Sequence, residues 1–391
     1  MTVRFASFNV ENLFARPKAL NVLDWAKGRP VLAAYAEFNA LIQLADYTPA
    51  VKRRMKELLL KVEVYRKDGA VVRRNRVIDP KWAWLRANRG AFDVEHQDTR
   101  GIEIVANNRS DWIGWLELAK ETINETTVDM TARVIQDVNA EVLGVVEAEN
   151  RPALDMFNQE RLLDPYDHVM LIDGNDTRGI DVGIMTTSQI EIVNMRSNVD
   201  VPDPDAPDEH LFSRDCAEYQ LLLPSGTTVW VLMNHFKSQS GGGGDKRMNQ
   251  AKGVRTIVDD LIAEGETNII VMGDLNEGPE SDAPTQPAPN LVPLYGPGSP
   301  LVDAYSIAGF NVGNRDGSFQ NCHITNRFDY IFVSQTLAGL VVSGGLERHG
   351  LWGTPTNKTQ PPKDYWEIYS DLHRAQDAAS DHAAIYIDIS I

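Results

Sequence analysis

Cysteine is scarce in this chain: its 391 residues include only Cys216 and Cys322. One disulfide is the most such a chain can form, which excludes a disulfide scaffold and a cysteine-rich zinc site. Long apolar runs are missing as well. No stretch reaches the roughly 18–20 residues of a membrane helix, and no apolar membrane-binding loop stands out, so stable membrane insertion is not expected. The first residues, MTVRFASFNVENLF, lack a basic leader and a leucine-rich segment and read as a strand, which makes the cytoplasm the expected compartment. Positive charge is in deficit too. With 38 Lys+Arg against 55 Asp+Glu the formal charge is −17, a balance that disfavours indiscriminate nucleic-acid binding.

The deficit is uneven. Residues 51–90 hold 13 Lys/Arg and 4 Asp/Glu, a local charge of +9, so the rest of the chain carries −26. Hydrophobic residues at 43% and charged residues at 24% suit a globular α/β domain with a sizeable core. Strand-like segments at Val3–Val10, Val142–Val146, Val182–Met185, Val229–Met233, Asn268–Met272, Phe328–Val333 and Ala384–Ile389 recur along it. Helical spacing of apolar residues appears at Val128–Ala140 and Lys246–Ala263. We read residues 1–391 as one domain with a basic insertion at about 18–125. Within the insertion the pattern predicts a helix at Ala50–Leu60 and a hairpin turning at Asp68-Gly69. A second helix is expected near Trp112–Lys120. Its apolar content looks thin for a core of its own. Pro202–Asp208 and Gly278–Pro300 read as Pro-rich loops. Gly241–Gly244 lacks the Lys-Ser/Thr of a phosphate loop and reads as a hinge.

Polar clusters sit at the ends of several of these strands, Asn9-Val10-Glu11, Glu147, Asn234-His235, Asp274-Leu275-Asn276 and Ser380-Asp381-His382, and a sixth, Arg327-Phe328-Asp329-Tyr330, lies inside a strand. Each has a plainer reading when taken singly. Asn9 and Asn234 suit turn caps, Asp274 and Asn276 an Asx-turn, Asp329 an ion pair with Arg327, and His382 a satisfied loop histidine. Taken together, they supply hard oxygen ligands for a divalent cation and a histidine able to move a proton.

The ordered segments SFNVENLF, VLGVVEAEN, RGIDVGIM, NHFKS, IIVMGDLNE, RFDYIFVS and SDHAAI resemble the endonuclease/exonuclease/phosphatase superfamily, over residues 1–17 and about 126–391. The resemblance implies a four-layer α/β/β/α sandwich, two mixed sheets face to face with helices outside. It implies a Mg²⁺ site, open to Mn²⁺, at Asn9 and Glu147, with Glu11 and Asp381 as further contacts. It assigns Asp274 to the attacking water, Asn276 to a phosphate oxygen, and His382 with its orienting carboxylate Asp329 to catalysis. His235 would bracket the phosphate opposite His382, and Asn234, Arg178 and Lys237 fall where substrate phosphate is met. Asp181 would brace the site. Val146 departs from the pattern, since many members carry Gln before the metal Glu.

The expected reaction is metal-dependent phosphodiester hydrolysis, and the substrate read first is nucleic acid. Arg73, Arg74, Arg76, Lys81 and Arg86 could track a phosphate backbone, and Tyr65, Trp82 and Trp84 could stack on bases. A small phosphoester or a phospholipid head group is the alternative. A catalytically silent scaffold is a remote third reading, because it predicts decay among site residues that are all present. No obligate protein partner is inferred.

Overall fold

The computed structural model describes the chain except residues 14, 20–24, 77–81, 177, 240–241, 281–287 and 354–365. Lys81 and Gly241 therefore lie outside the described residues. The chain forms two compact units, Met1–Phe14 with Ile123–Ile391, and Ala15–Thr122.

The larger unit is built on two mixed sheets. One has seven strands in the order His168–Ile172, Asp181–Thr186, Val142–Ala148, Thr2–Asn9, Ala384–Ser390, Val341–Glu347, Phe310–Asn311. The other has six, in the order Glu191–Arg196, Ala217–Leu222, Thr228–His235, Ile269–Asp274, Asp329–Ser334, Leu301–Asp303. Strand alternation builds the layers, because successive side chains leave opposite faces. In Thr2–Asn9, Val3 and Phe5 join an apolar cluster that also takes Val142, Val182 and Ile387 from this sheet and Val231, Met233, Met272 and Ile331 from the other. That shared cluster is the inter-sheet core.

The outward residues Phe8, Leu143 and Val145 meet Val128, Val134, Ile135 and Val138 of the helix Glu125–Val138. On the far side Trp230, Leu232, Val271 and Phe332 meet Ala251, Val254, Val258 and Leu261 of the helix Gly244–Ala263. The result is the four-layer α/β/β/α sandwich. Each fully buried aliphatic or aromatic side chain contributes about 1.5–3 kcal/mol to holding the layers together.

The strand directions determine where functional groups converge. Thr2–Asn9 runs parallel to Val142–Ala148, and Thr228–His235 runs parallel to Ile269–Asp274. Asn9, Glu147, His235 and Asp274 thus all sit at C-terminal strand ends. Asp329–Ser334 and Ala384–Ser390 run antiparallel to these neighbours, so Asp329 begins its strand opposite Asp274, and His382 precedes a strand that begins near Asn9.

The smaller unit, Ala15–Thr122, closes at its ends by pairing Ala15–Pro17 with Lys120–Thr122. It has an apolar cluster of its own that includes Phe38, Met55, Leu58, Leu59, Tyr65, Phe92, Trp112 and Leu116. The expectation of a thin apolar content is thereby corrected: the core residues are spread over several short elements and no single segment looks rich. The predicted helix appears at Pro49–Lys61, and the hairpin pairs Tyr65–Asp68 with Val71–Arg74 around Gly69 at φ +61°. The expected helix near Trp112–Lys120 is instead the strand Trp112–Leu118, paired with Ala83–Gly90. Trp112, Gly114, Leu116 and Leu118 alternate inward, a period of two. Pro202–Asp203 and Ala206–His210, expected as loop, form a small ribbon.

Candidate functional site

Two local devices aim the site's acids. Glu147 occupies a register shift between Val146 and Ala148 and takes φ +67°, so the bulge turns its carboxylate off the alternation of its strand. Val146 itself is buried in the inter-sheet core. In Gly-Asp-Leu-Asn, Gly273 lies at φ +141°, and a Cβ there would stand 1.9 Å from the carbonyl oxygen of Asn234 on the parallel neighbour. Only glycine permits that approach. Asn276 follows at φ +51°, its backbone N–H donating to Asp274 Oδ1 at 2.9 Å. The Asx-turn that is the plainer reading of this pair is formed, and it still leaves Asp274 in the cluster.

Asp274 is the hub. Its Oδ2 accepts from Asn9 Nδ2 and from Asn276 Nδ2, each at 3.1 Å. His235 Nε2 stands 3.6 Å and His382 Nε2 3.8 Å from the same oxygen. His382 Nδ1 lies 2.8 Å from Asp329 Oδ2. Arg327 does not take Asp329 as the sequence allowed; its guanidinium covers the Tyr305 ring, 4.1 Å from the centroid. Glu147 Oε1 is 3.5 Å from His235 Nε2. Glu11 Oε2 accepts from the backbone N–H of Asp381 at 3.2 Å, and Ser380 Oγ donates to the carbonyl of Asn9 at 2.7 Å. The first strand end and the Ser380-Asp381-His382 segment are thereby tied together.

Charge in this cluster is set by burial and by neighbours. Burial pushes Asp274 up to about 7 against the pull of His382, with Asp329 adding to the rise. Burial also raises Glu147, opposed by Arg178, His382 and Arg214. Burial alone would lower His382, but Asp329 and Asp274 outweigh it and hold the imidazole well above its ordinary value. His235 goes the other way: burial, with Arg214, Arg178 and His382 nearby, keeps it well below. The two histidines are thus pushed in opposite directions, His382 toward its charged form and His235 toward its neutral one. His235 Nδ1 and Asp329 Oδ1 are buried without a hydrogen-bond partner among the described residues.

Beside the carboxylates is a cationic group the sequence reading found only in part. Arg178 forms a bidentate pair with Asp176, its Nη2 at 2.6 Å from Oδ2. Arg214, which carried no motif signal, is 2% exposed, stands 3.2 Å from the same Asp176 oxygen and donates to the carbonyl of Phe236. Lys237 is lowered by burial and by these two arginines. Arg247, paired with Glu277, donates to the carbonyls of Lys237 and Ser238 and holds that loop. Asp181 accepts from the N–H of Gly174 at 2.8 Å, and burial pushes it up to about 7. Asn234 does not join the site. It leaves its strand on the face opposite His235, and its Nδ2 donates to the carbonyl of Leu232 at 3.1 Å.

A second cluster singled out in the sequence is also placed differently. Tyr65 and Trp82 are buried in the smaller unit's core, and Trp84 is half-buried. Arg73 donates to the carbonyls of His96, Gln97 and Asp98, Arg74 pairs with Asp93, Arg76 with Glu95 and Arg86 with Glu117. Arg73, Arg74, Arg76 and Arg86 thus meet acids and carbonyls of their own unit.

Comparison with known proteins places a match to the family described as Endonuclease/Exonuclease/phosphatase family over residues 92–290. Among solved structures, the chain is similar to a mannosyl-6-phosphatase from Bacteroides thetaiotaomicron at 17% identity and a TM-score of 0.49, covering 67% of this chain and 90% of that one. It is similar to truncated TDP2 from Caenorhabditis elegans at 18% identity and 0.46, covering 68% and 91%. It is also similar to the human Nocturnin catalytic domain at 14% identity and 0.48, covering 69% and 88%. No curated protein matches the chain.

Proposed function

This chain belongs to the endonuclease/exonuclease/phosphatase family, and from that premise we propose that it hydrolyses phosphoesters with the help of a divalent metal ion, Mg²⁺ or Mn²⁺. The observation that carries the reading is Asp274 beside the His382–Asp329 pair, three groups with ligand atoms within 4.8 Å of one another.

Asp274, raised to about 7, is suited to accept a proton from water near neutral pH. Asn9 and Asn276 hold its Oδ2 in place. His382, shifted toward its charged form by Asp329 and Asp274, is suited to donate hydrogen bonds toward charge that grows on the phosphoryl group. His235, shifted toward its neutral form, brackets the phosphate from the other side, and Arg178 and Lys237 draw it in, with Arg214 fixing the backbone between His235 and Lys237.

The donor set fits a hard divalent cation. Glu147 and Glu11 offer carboxylates, Asn9 and Asp381 further oxygens, and burial disfavours a bare charge on Glu147, a cost that a bound cation offsets. The ion, where bound, supplies Lewis acidity to a phosphoryl oxygen.

For the substrate, the nuclease reading loses part of the support of the insertion, where Arg73, Arg74, Arg76 and Arg86 are engaged within their own unit and Tyr65 and Trp82 are buried. The cations near the site instead group around one carboxylate, Asp176. That grouping matches a single phosphoryl group better than the length of a nucleic-acid backbone, and we favour a small phosphoester. Among the described residues no helix is long and apolar enough to cross a membrane.

The test is cleavage by purified protein with Mg²⁺, Mn²⁺ or EDTA, on plasmid DNA, single-stranded DNA, RNA and bis-p-nitrophenyl phosphate. Metal-dependent hydrolysis of the small ester alone is expected. Cutting of a polymer would restore the nuclease, and silence on every substrate would favour the scaffold.

A further inference from the structure

Asp329 and His382 come from separate segments, and a third segment joins them. The loop Gly317–Cys322 runs against both. Ser318 is fully buried, and its Oγ accepts two backbone N–H groups, from Phe328 at 3.1 Å and from Asp329 at 3.0 Å. Its carbonyl accepts the N–H of Ala383 at 2.7 Å, the residue after His382. Two residues on, the N–H of Gln320 donates to the carbonyl of Asp381 at 2.8 Å. Between them the Phe319 ring lies 4.8 Å from the imidazole of His382 and 4.9 Å from the ring of Phe328.

The loop is itself held. Arg348, almost fully buried, donates to the carbonyls of Val312, Arg315 and Gly317 at 2.7–2.8 Å. Gly317 has no room for a side chain, since a Cβ would stand 2.0 Å from the carbonyl oxygen of His323.

We infer that Ser318 is a positioning residue for the His382–Asp329 pair: its hydroxyl fixes the backbone that carries Asp329 and its carbonyl the backbone that carries His382, so one residue sets the separation of the two partners. The hydroxyl matters as an acceptor. Without it, two buried N–H groups at the start of the strand lose their partner, and buried donors do not stay unpaired without a shift or a cost. A displacement of about 1 Å at a reacting group is enough for roughly 10²-fold in rate. The inference rests on the reading that this pair acts in hydrolysis, and the experiment separates the two.

The variants are Ser318→Ala, Ser318→Cys, which keeps the size but accepts weakly, and Ser318→Thr, which keeps the hydroxyl. The first readout needs no turnover. In full-length protein labelled with ¹⁵N-histidine, the downfield Nδ1 proton of His382 is identified by its loss in His382→Ala. It should shift or broaden in Ser318→Ala and Ser318→Cys and return in Ser318→Thr. The second is hydrolysis of bis-p-nitrophenyl phosphate with Mn²⁺. The kcat should fall about tenfold or more in the Ala and Cys variants, with KM within about twofold, and recover in Thr. Adding Ser318→Ala to His382→Ala should cost nothing further, because the serine acts through the histidine.

An unmoved proton in well-folded Ser318→Ala, or losses that multiply in the double variant, would overturn the inference. Full activity in His382→Ala would instead overturn the functional reading, while the proton shift still reports on Ser318.

Discussion

Gly273 and His382 show how much of the site hangs on single residues. A methyl group at 273 would meet the Asn234 carbonyl oxygen at 1.9 Å, and the backbone there is at φ +141°. Gly273→Ala should therefore lose about 1–3 kcal/mol from backbone strain alone, read as a lower urea midpoint. A wild-type midpoint would show that the two parallel strands can separate without penalty. His382→Ala and Asp329→Asn should each lower turnover about 10²–10⁴-fold, each with an unchanged far-ultraviolet spectrum. Retained activity in both would remove the pair from the mechanism. At this scale the sequence was informative wherever function was written in adjacent residues. Gly-Asp-Leu-Asn and Ser-Asp-His stand out through the family resemblance and their order along the chain, since each taken singly also suits a turn or a loop. Arg214 and Ser318 carry no such signal, because Arg214 meets Asp176 from 38 residues along the chain and Ser318 meets Asp329 from a separate loop.

Elements were legible where one period dominated. The helix Glu125–Val138 has its apolar face at helical spacing, and Asn124 caps it, Oδ1 accepting the N–H of Thr127 while Nδ2 donates to the carbonyl of Gln376. Asn124→Ala should cost about 0.5–2 kcal/mol in thermal or urea unfolding; no change would mean the backbone finds another cap. Trp25–Leu41 passed unnoticed as a helix because it contains Gly28 and Pro30, and proline is a helix breaker by default. Trp112–Leu118 alternates inward with a period of two, but seven residues with Trp at both 112 and 115 also fit a helical spacing. The basic hairpin of the smaller unit carries a prediction that reverses the first reading of its charge. Arg74 neutralises the buried Asp93, which also accepts the hydroxyl of Tyr65. Arg74→Ala should thus destabilise the protein by about 1–3 kcal/mol and leave binding to single-stranded DNA unchanged. Weakened DNA binding at full stability would return the hairpin to the role its composition suggested.

For the molecule as a whole, periodicity indicated α/β, the family resemblance supplied the two-sheet sandwich, and neither revealed the smaller unit's core. Its buried residues come from two helices and several three- to eight-residue strands, and short strands have too few residues for a period to stand out. The acids at the strand ends also predict that the stability of the molecule depends on pH and on a divalent metal. Asp274 keeps its proton to about 7 in the folded chain, far above an ordinary aspartate. Between the ordinary value and about 7 the folded state therefore binds the extra proton, and this group's contribution to stability falls as pH rises through that window. A cation needs the carboxylates bare and so competes with that proton. The rise in melting temperature produced by millimolar Mg²⁺ or Mn²⁺ should accordingly be small near pH 5, grow as pH passes about 7, and level off above it. Thermal melts at matched ionic strength, with Ca²⁺-free buffer and EDTA as the zero, measure this directly. Asp274→Asn removes the titrating group and should flatten the pH dependence. A metal-induced shift that is the same at every pH would place the cation away from Asp274 and its neighbours.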